Sequence, residues 1–80
     1  MIYIFYYDWC GYSKRALQHA KTLKIPHKKM NMTKLGGLED TIKLLKQQRI
    51  MKKNSTHKTA PIIFEDDKLI GGFNEFQKKY

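Results

Sequence analysis

The first quarter of the chain contains a continuous apolar run, which is followed by apolar residues at helical spacing. Residues 2–7 (IYIFYY) are all apolar or aromatic, which is typical of a strand covered on both faces. From Ser13 to about Lys24, apolar positions recur at helical spacing, and Pro26 closes the segment. The residues on that apolar face are Ala16, Leu17, Ala20 and Leu23. The chain therefore opens with a strand followed by an amphipathic helix.

A second strand and a second helix follow with weaker signals. Residues 27–32 are a strand candidate, and Gly36-Gly37 interrupts the chain after it. Leu38, Ile42 and Leu45 then lie at the spacing of one helical face.

The last third of the chain predicts a hairpin and a short helix. After a polar loop over residues 54–58, two strand-like segments at 61–64 and 68–70 flank an acidic turn. We expect Asn74 to cap a last helix that runs to Tyr80.

These elements give the order β-α-β-α-β-β-α. A β-α-β unit implies two parallel strands, and the hairpin adds two antiparallel ones. The prediction is an α/β protein with a four-stranded mixed sheet flanked by three helices, similar to the thioredoxin fold. We expect residues 1–80 to form one domain.

Charge limits the range of partners. The 80 residues include 16 basic and 7 acidic side chains, for a net charge of +9, but no run of five basic residues occurs. Nucleic-acid binders more often carry an arginine-rich stripe or a recognition motif. We therefore expect a solvated basic surface that steers small anions, and no nucleic-acid partner.

The single cysteine excludes two common classes of small protein. Cys10 has no intramolecular disulfide partner, and the spacing of His19, His27 and His57 fits no zinc finger. The first apolar run is too short for a membrane span and lacks the features of a signal peptide. We expect a reducing, cytoplasmic setting, without a membrane partner and without a structural metal.

Cys10 is the candidate nucleophile because it lies where the first strand gives way to the first helix. A thiol at a helix N-terminus faces unpaired N–H groups, which favour the thiolate. Lys14 and Arg15 add positive charge one turn later. The alternative is a buried cysteine that packs as a small hydrophobic residue.

Two further motifs belong to loops that precede regular elements. Pro61 cannot donate to a sheet, so Thr59-Ala60-Pro61 belongs at the start of a strand. If the Ala60–Pro61 bond is cis, the backbone of Ala60 faces outward and can pair with an extended peptide. Gly71-Gly72 precedes a helix and lets N–H groups converge on an anion. The alternatives are an ordinary turn proline and a tight turn.

Together the three motifs resemble those of the glutaredoxins over residues 2–80. The residues that carry the resemblance are Cys10-Gly11-Tyr12-Ser13, Thr59-Ala60-Pro61 and Gly71-Gly72. Family active sites read Cys-Pro-Tyr-Cys or Cys-Gly-Phe-Ser, and the family's Thr-Val-Pro is Thr-Ala-Pro here.

The resemblance implies a glutathione site with Cys10 as the catalytic nucleophile. Ser13 occupies the position of the resolving cysteine of two-cysteine members. The residues implied to bind glutathione are Tyr12, Lys58, Thr59, Ala60, Pro61, Gly72, Phe73, Asn74 and Glu75. Ala60 would pair with the cysteinyl part, and residues 73–75 would hold the γ-glutamyl end.

The sequence departs from the family pattern at two places. Tyr7 replaces a lysine or arginine that meets the glycyl carboxylate of glutathione, so that Lys58 or Lys14 would have to substitute for it. Asn74-Glu75 replaces the more usual Thr/Ser-Asp near the γ-glutamyl end.

The resemblance implies a glutathione-dependent thiol–disulfide oxidoreductase that acts as a monomer on glutathionylated or disulfide-containing proteins. Ser13 is either native to a one-cysteine member or a replacement of a parental cysteine. One alternative is a dimeric carrier of a [2Fe–2S] cluster that is ligated by Cys10 and glutathione. A second alternative is a basic binding module with a vestigial redox site.

Overall fold

Four strands and three α-helices make up the computed structural model, which describes residues 1–80. The strands are β1 (Ile2–Tyr6), β2 (His27–Asn31), β3 (Ile62–Glu65) and β4 (Lys68–Gly71). The helices are α1 (Gly11–Thr22), α2 (Leu38–Gln47) and α3 (Phe73–Lys79). A short 3₁₀ helix, Met32–Leu35, precedes α2. The predicted order β-α-β-α-β-β-α is therefore confirmed.

The sheet is mixed, with the strand order β2-β1-β3-β4. The central strand β1 pairs in parallel with β2, so that Ile2 lies opposite His27. It pairs antiparallel with β3, where Ile4 lies opposite Ile63. The β3–β4 hairpin completes the sheet, with a register shift between Ile63 and Phe64. This is the predicted thioredoxin-like arrangement.

Both faces of β1 are covered, which explains its uninterrupted apolar sequence. Ile2 and Ile4 belong to a core cluster that also contains Ala16, Ala20 and Phe76, on the side of α1 and α3. Phe5 and Tyr7 belong to a second cluster on the opposite side, which also contains Leu45 of α2. The side chains on the two sides are those of alternate residues along the strand.

Two predictions at helix ends are wrong. Leu23 was expected on the buried face of the first helix, but α1 ends at Thr22 and Leu23 is 47% exposed. Asn74 was expected to cap the last helix, but α3 begins at Phe73 and Gly72 is the N-cap. Glu75 supplies the side chain at that cap, because its carboxylate accepts a hydrogen bond from the Gly72 N–H. No helix is both long and apolar enough to cross a membrane.

Candidate active site

Cys10 is the N-cap residue of α1, at the junction with β1 that the sequence predicts. Its carbonyl accepts a hydrogen bond of 3.1 Å from the Lys14 N–H, which closes the first helical turn. The thiol is partly buried and is not in a disulfide. Its Sγ lies 3.9 Å from the carbonyl oxygen of Ala60. The Cys10 thiol therefore sits beside the Thr59–Pro61 segment.

The pKa of the Cys10 thiol is lowered by its neighbours in α1. Burial raises this pKa, but hydrogen bonds from the Ser13 hydroxyl, the Ser13 N–H and the Tyr12 N–H together outweigh that effect. Each of these bonds stabilises the thiolate. The expectation of a thiolate-favouring helix N-terminus is thus confirmed, with hydrogen bonds as the cause rather than the charges of Lys14 and Arg15.

Ser13 is held in position to act on the thiolate. It is completely buried, and its Oγ accepts a hydrogen bond of 3.2 Å from the Tyr7 N–H. A hydroxyl has one hydrogen to donate. Because the bond from Tyr7 uses an acceptor site of Oγ, that hydrogen is free to point toward the Cys10 sulfur.

A cleft of about 300 Å³ is lined by Ala60, whose carbonyl oxygen is the one near the Cys10 sulfur, although Cys10 is not itself part of the lining. Its lining contains seven of the residues implied to bind glutathione: Tyr12, Thr59, Ala60, Gly72, Phe73, Asn74 and Glu75. Pro61 is buried and joined to Ala60 through a cis peptide bond. Lys58 is exposed and does not line the cleft. The structure therefore brings residues from three separate segments to one cavity.

Gly72 lines one wall of the cleft, and the residue before it must be a glycine. Gly71 has φ +127°, and a Cβ there would lie 2.6 Å from the Oε1 of Glu75. That same Oε1 accepts a hydrogen bond of 2.8 Å from the Gly72 N–H. One of the amides expected to bind an anion is thus already occupied by the protein's own carboxylate.

His57 is a site residue that the sequence analysis missed. Its Nε2 lies 2.7 Å from the carbonyl oxygen of Thr59 and 3.2 Å from that of Pro61. Both partners accept, so Nε2 carries the hydrogen. The ring also lies 3.7 Å from the place where a Gly72 Cβ would stand. His57 therefore connects the Thr59–Pro61 segment with the wall at Gly72. No sequence motif around His57 predicts this role.

The position of the missing basic residue contains a buried ring. Tyr7 is only 9% exposed, and it stacks on Trp9 with ring centroids 4.6 Å apart. A lysine at this position would lose that packing and leave its charge poorly solvated. In α1, the guanidinium of Arg15 lies 5.7 Å from the centroid of the Tyr12 ring.

No group of three or more His, Cys, Asp or Glu residues is arranged to hold a metal ion. Cys10 is the only thiol of the chain. Four thiolates usually ligate a [2Fe–2S] cluster, so a cluster at this site would need three thiolates from other molecules.

Comparison with known proteins identifies the family. Over 77 residues, the chain is 31% identical to a probable glutaredoxin of Acanthamoeba polyphaga mimivirus, and the match covers 94% of this chain and 73% of that protein. The chain belongs to the glutaredoxin family. No family model matches it.

Solved glutaredoxins share the fold over 98% of this chain. The holo form of glutaredoxin C1 from Populus tremula x tremuloides superposes with a TM-score of 0.73 at 22% identity. A buckwheat glutaredoxin–glutathione complex superposes with a TM-score of 0.76 at 20% identity. E. coli glutaredoxin gives 0.66 at 28% identity, with 89% of its length covered. This glutaredoxin spans slightly less than two thirds of each plant chain, 65% and 66%.

Proposed function

We propose that this glutaredoxin is a glutathione-dependent thiol–disulfide oxidoreductase that removes glutathione from glutathionylated proteins, with Cys10 as its only nucleophile. The observation that carries the proposal is the position of the Cys10 thiol. Its sulfur lies 3.9 Å from the Ala60 carbonyl, and Ala60 lines the cleft formed with Tyr12 and the Gly72 loop. A glutathione in this cleft would have its sulfur within reach of the thiolate.

The cleft suits an extended tripeptide with two charged ends. The backbone of Ala60 offers the edge to which the cysteinyl part can pair. The γ-glutamyl end lies toward residues 73–75, where the carboxylate of Glu75 can accept a hydrogen bond from the α-amine. No lysine or arginine lines the cleft, so the glycyl carboxylate would depend on Lys58, which precedes the lining residue Thr59 in sequence, or on Lys14, and on the net charge of +9.

The first chemical step transfers glutathione to the enzyme. The Cys10 thiolate attacks the glutathione sulfur of the mixed disulfide, and a new disulfide forms between Cys10 and glutathione. The original disulfide breaks, and its electron pair leaves with the protein sulfur, which then takes a proton from water. The target protein is reduced and Cys10 is oxidised.

The second step regenerates the enzyme with another glutathione molecule. Its thiolate attacks the sulfur of the glutathione bound to Cys10, so that glutathione disulfide is released and the Cys10 thiolate leaves. A lowered pKa helps this step, because a more acidic thiol is a better leaving group. The Ser13 hydroxyl cannot form a disulfide, so the resolving thiol must come from glutathione.

Mass spectrometry after exposure to glutathione disulfide tests the proposal. We expect the protein to gain one glutathione and to lose it when reduced glutathione is added. The matched control is Cys10→Ser, which should gain nothing and should not turn over a glutathione mixed disulfide. An unmodified wild-type protein, or turnover by Cys10→Ser, would contradict the proposal.

The variant Ser13→Cys tests why only one thiol is present. If its new thiol expels the bound glutathione and forms a disulfide with Cys10, the geometry of a two-cysteine member is intact at this site. If the adduct persists, the site operates with one cysteine even when a second is supplied.

A further inference from the structure

Two exposed aromatic residues lie next to Cys10 in the sequence, Trp9 directly before it and Tyr12 two positions after it. Trp9 is 73% exposed and Tyr12 is 55% exposed, which are the highest values among the exposed large apolar side chains of the protein. Isolated exposed apolar residues are ordinary on protein surfaces. Here the two exposed residues lie within two positions of the proposed nucleophile, where a protein substrate would approach.

The two aromatic residues differ in their relation to the glutathione cleft. Tyr12 lines the cleft, and its ring lies 6.4 Å from that of Phe73. Trp9 is not part of the lining. The proposed glutathione site therefore accounts for the exposure of Tyr12 but leaves that of Trp9 unexplained.

Trp9 is held rigidly although it is exposed. Its ring stacks on Tyr7 at a centroid distance of 4.6 Å and an interplanar angle of 21°. Tyr7 in turn belongs to the core cluster that contains Phe5 and Met32. An aromatic surface that is already ordered loses little conformational entropy when a partner binds.

The charged residues near Cys10 indicate which charge a partner should carry. Lys14, Arg15 and Lys58 are exposed, and the protein's two ion pairs lie elsewhere, at Met1–Asp66 and Lys79–Glu65. The nearest acidic residue in sequence, Asp8, accepts a hydrogen bond of 3.0 Å from the Asn31 amide. The amide is neutral, so Asp8 keeps its charge, and Glu75 adds a second carboxylate from the cleft lining. Three cations therefore face two carboxylates near Cys10, and this small positive excess, together with the net charge of +9, favours an acidic partner.

We propose that Trp9, supported by Tyr7, is the contact surface for the protein part of the substrate. The substrate it favours is an acidic segment with an aromatic or large apolar residue next to the glutathionylated cysteine. This inference rests on the proposed function. When glutathione occupies the cleft that Tyr12 lines, the substrate residues next to the modified cysteine lie outside that cleft. Trp9 is the most exposed large apolar residue available to them there.

Peptide kinetics test this surface. The substrates are a glutathionylated acidic peptide with phenylalanine beside the cysteine, the same peptide with glycine there, and the mixed disulfide of glutathione and 2-mercaptoethanol. We expect Trp9→Ala to lower kcat/KM for the phenylalanine peptide about tenfold more than for the small mixed disulfide. Trp9→Phe should restore most of the loss. Leu23→Ala, which removes an exposed apolar side chain at the far end of α1, should change neither.

A binding titration provides a second measurement that does not need turnover. Trp9 is the only tryptophan, so its fluorescence reports directly on the surface. In Cys10→Ser, the phenylalanine peptide should change the emission and bind at least several-fold more tightly than the glycine peptide or a lysine-substituted one. Added salt should weaken the preference for acidic peptides.

The outcomes separate this inference from the proposed function. If the small mixed disulfide is turned over but Trp9→Ala lowers all substrates equally, or none, the surface is refuted while the function stands. If the wild type turns over nothing, the function fails, and the titration alone decides the surface. Equal affinity for the phenylalanine and glycine peptides would then overturn it.

Discussion

Removal of the His57 side chain should weaken glutathione binding by freeing one wall of the cleft. The imidazole of His57 donates to the carbonyl oxygens of Thr59 and Pro61, at 2.7 Å and 3.2 Å. These two carbonyls flank Ala60, whose backbone is proposed to pair with glutathione. His57→Ala removes both bonds and the contact with the Gly72 wall.

The magnitude follows from the exposure of the two acceptors. Thr59 is exposed and Pro61 is buried, so water replaces the lost bond more readily at Thr59. Loss of the two bonds should therefore lower the free energy of unfolding by about 1–2 kcal/mol. In a domain of this size that corresponds to a fall in Tm of roughly 5–10 °C. If glutathione must then order the Thr59–Pro61 segment when it binds, at a cost of about 1 kcal/mol, KM for glutathione rises about fivefold.

The assay measures KM and kcat for glutathione separately, together with the Tm. We expect kcat to change little, because the hydrogen bonds that lower the pKa of Cys10 come from Ser13 and Tyr12. His57→Gln should recover much of the loss, since the Gln amide also donates. The matched control is His27→Ala, which removes a histidine–carbonyl contact of 2.8 Å to Ile25, outside the cleft lining.

Two results would refute this reasoning about His57. One is a KM for glutathione that stays at the wild-type value in His57→Ala despite a lower Tm. The other is an equal rise in KM in His27→Ala, which would show that general destabilisation, not the cleft wall, is responsible.

Three further substitutions test other contacts of the site. Ser13→Ala should raise the pKa of Cys10, so that the alkylation rate of the thiol, followed against pH, rises at higher pH than in the wild type; an unshifted profile would contradict the role of the hydroxyl. Gly71→Ala should lower the free energy of unfolding by about 1–3 kcal/mol in urea titrations, because its φ is +127° and its Cβ would meet Glu75. Gly11→Ala is the control, since a Cβ at Gly11 meets nothing within 4 Å, and equal losses in the two variants would refute the steric argument. Glu75→Gln keeps an acceptor for the helix cap but loses the charge, so KM for glutathione should rise several-fold with little change in Tm; an unchanged KM would exclude a contact with the γ-glutamyl amine.

Secondary structure was predictable wherever a segment carries a clear pattern of apolar residues, either continuous or at helical spacing. Residues 2–7 have no polar position, and the structure covers both faces of β1. The end of α1 was less predictable, because Leu23 fits the helical pattern although it lies beyond the last helical residue. At α3, the sequence offers Asn74 as a cap, but the side-chain cap comes from Glu75. Helix ends depend on such local competition between side chains, which a pattern of apolar positions does not contain.

Most residues that line the cleft were predictable, but the side chains that hold the lining in place were not. Cys10 and Ala60 are 50 residues apart in sequence, and only the resemblance to a known family indicated that they meet. His57 carries no such signal, since it lies in a polar loop and its two partners are backbone carbonyls. The ordered stack of Trp9 on Tyr7 was likewise invisible in the sequence, which showed only an aromatic residue beside a cysteine.

The sequence by itself determined the order of the elements, the presence of a single thiol and the strong positive charge. These properties depend on residue identity and on neighbours within a few positions. The tertiary structure alone decided the burial that opposes the lowered pKa of Cys10, the shape of the cleft and the packing of Trp9 on Tyr7. Such properties depend on burial and on hydrogen bonds between atoms whose distances are set only when the sheet and helices pack together.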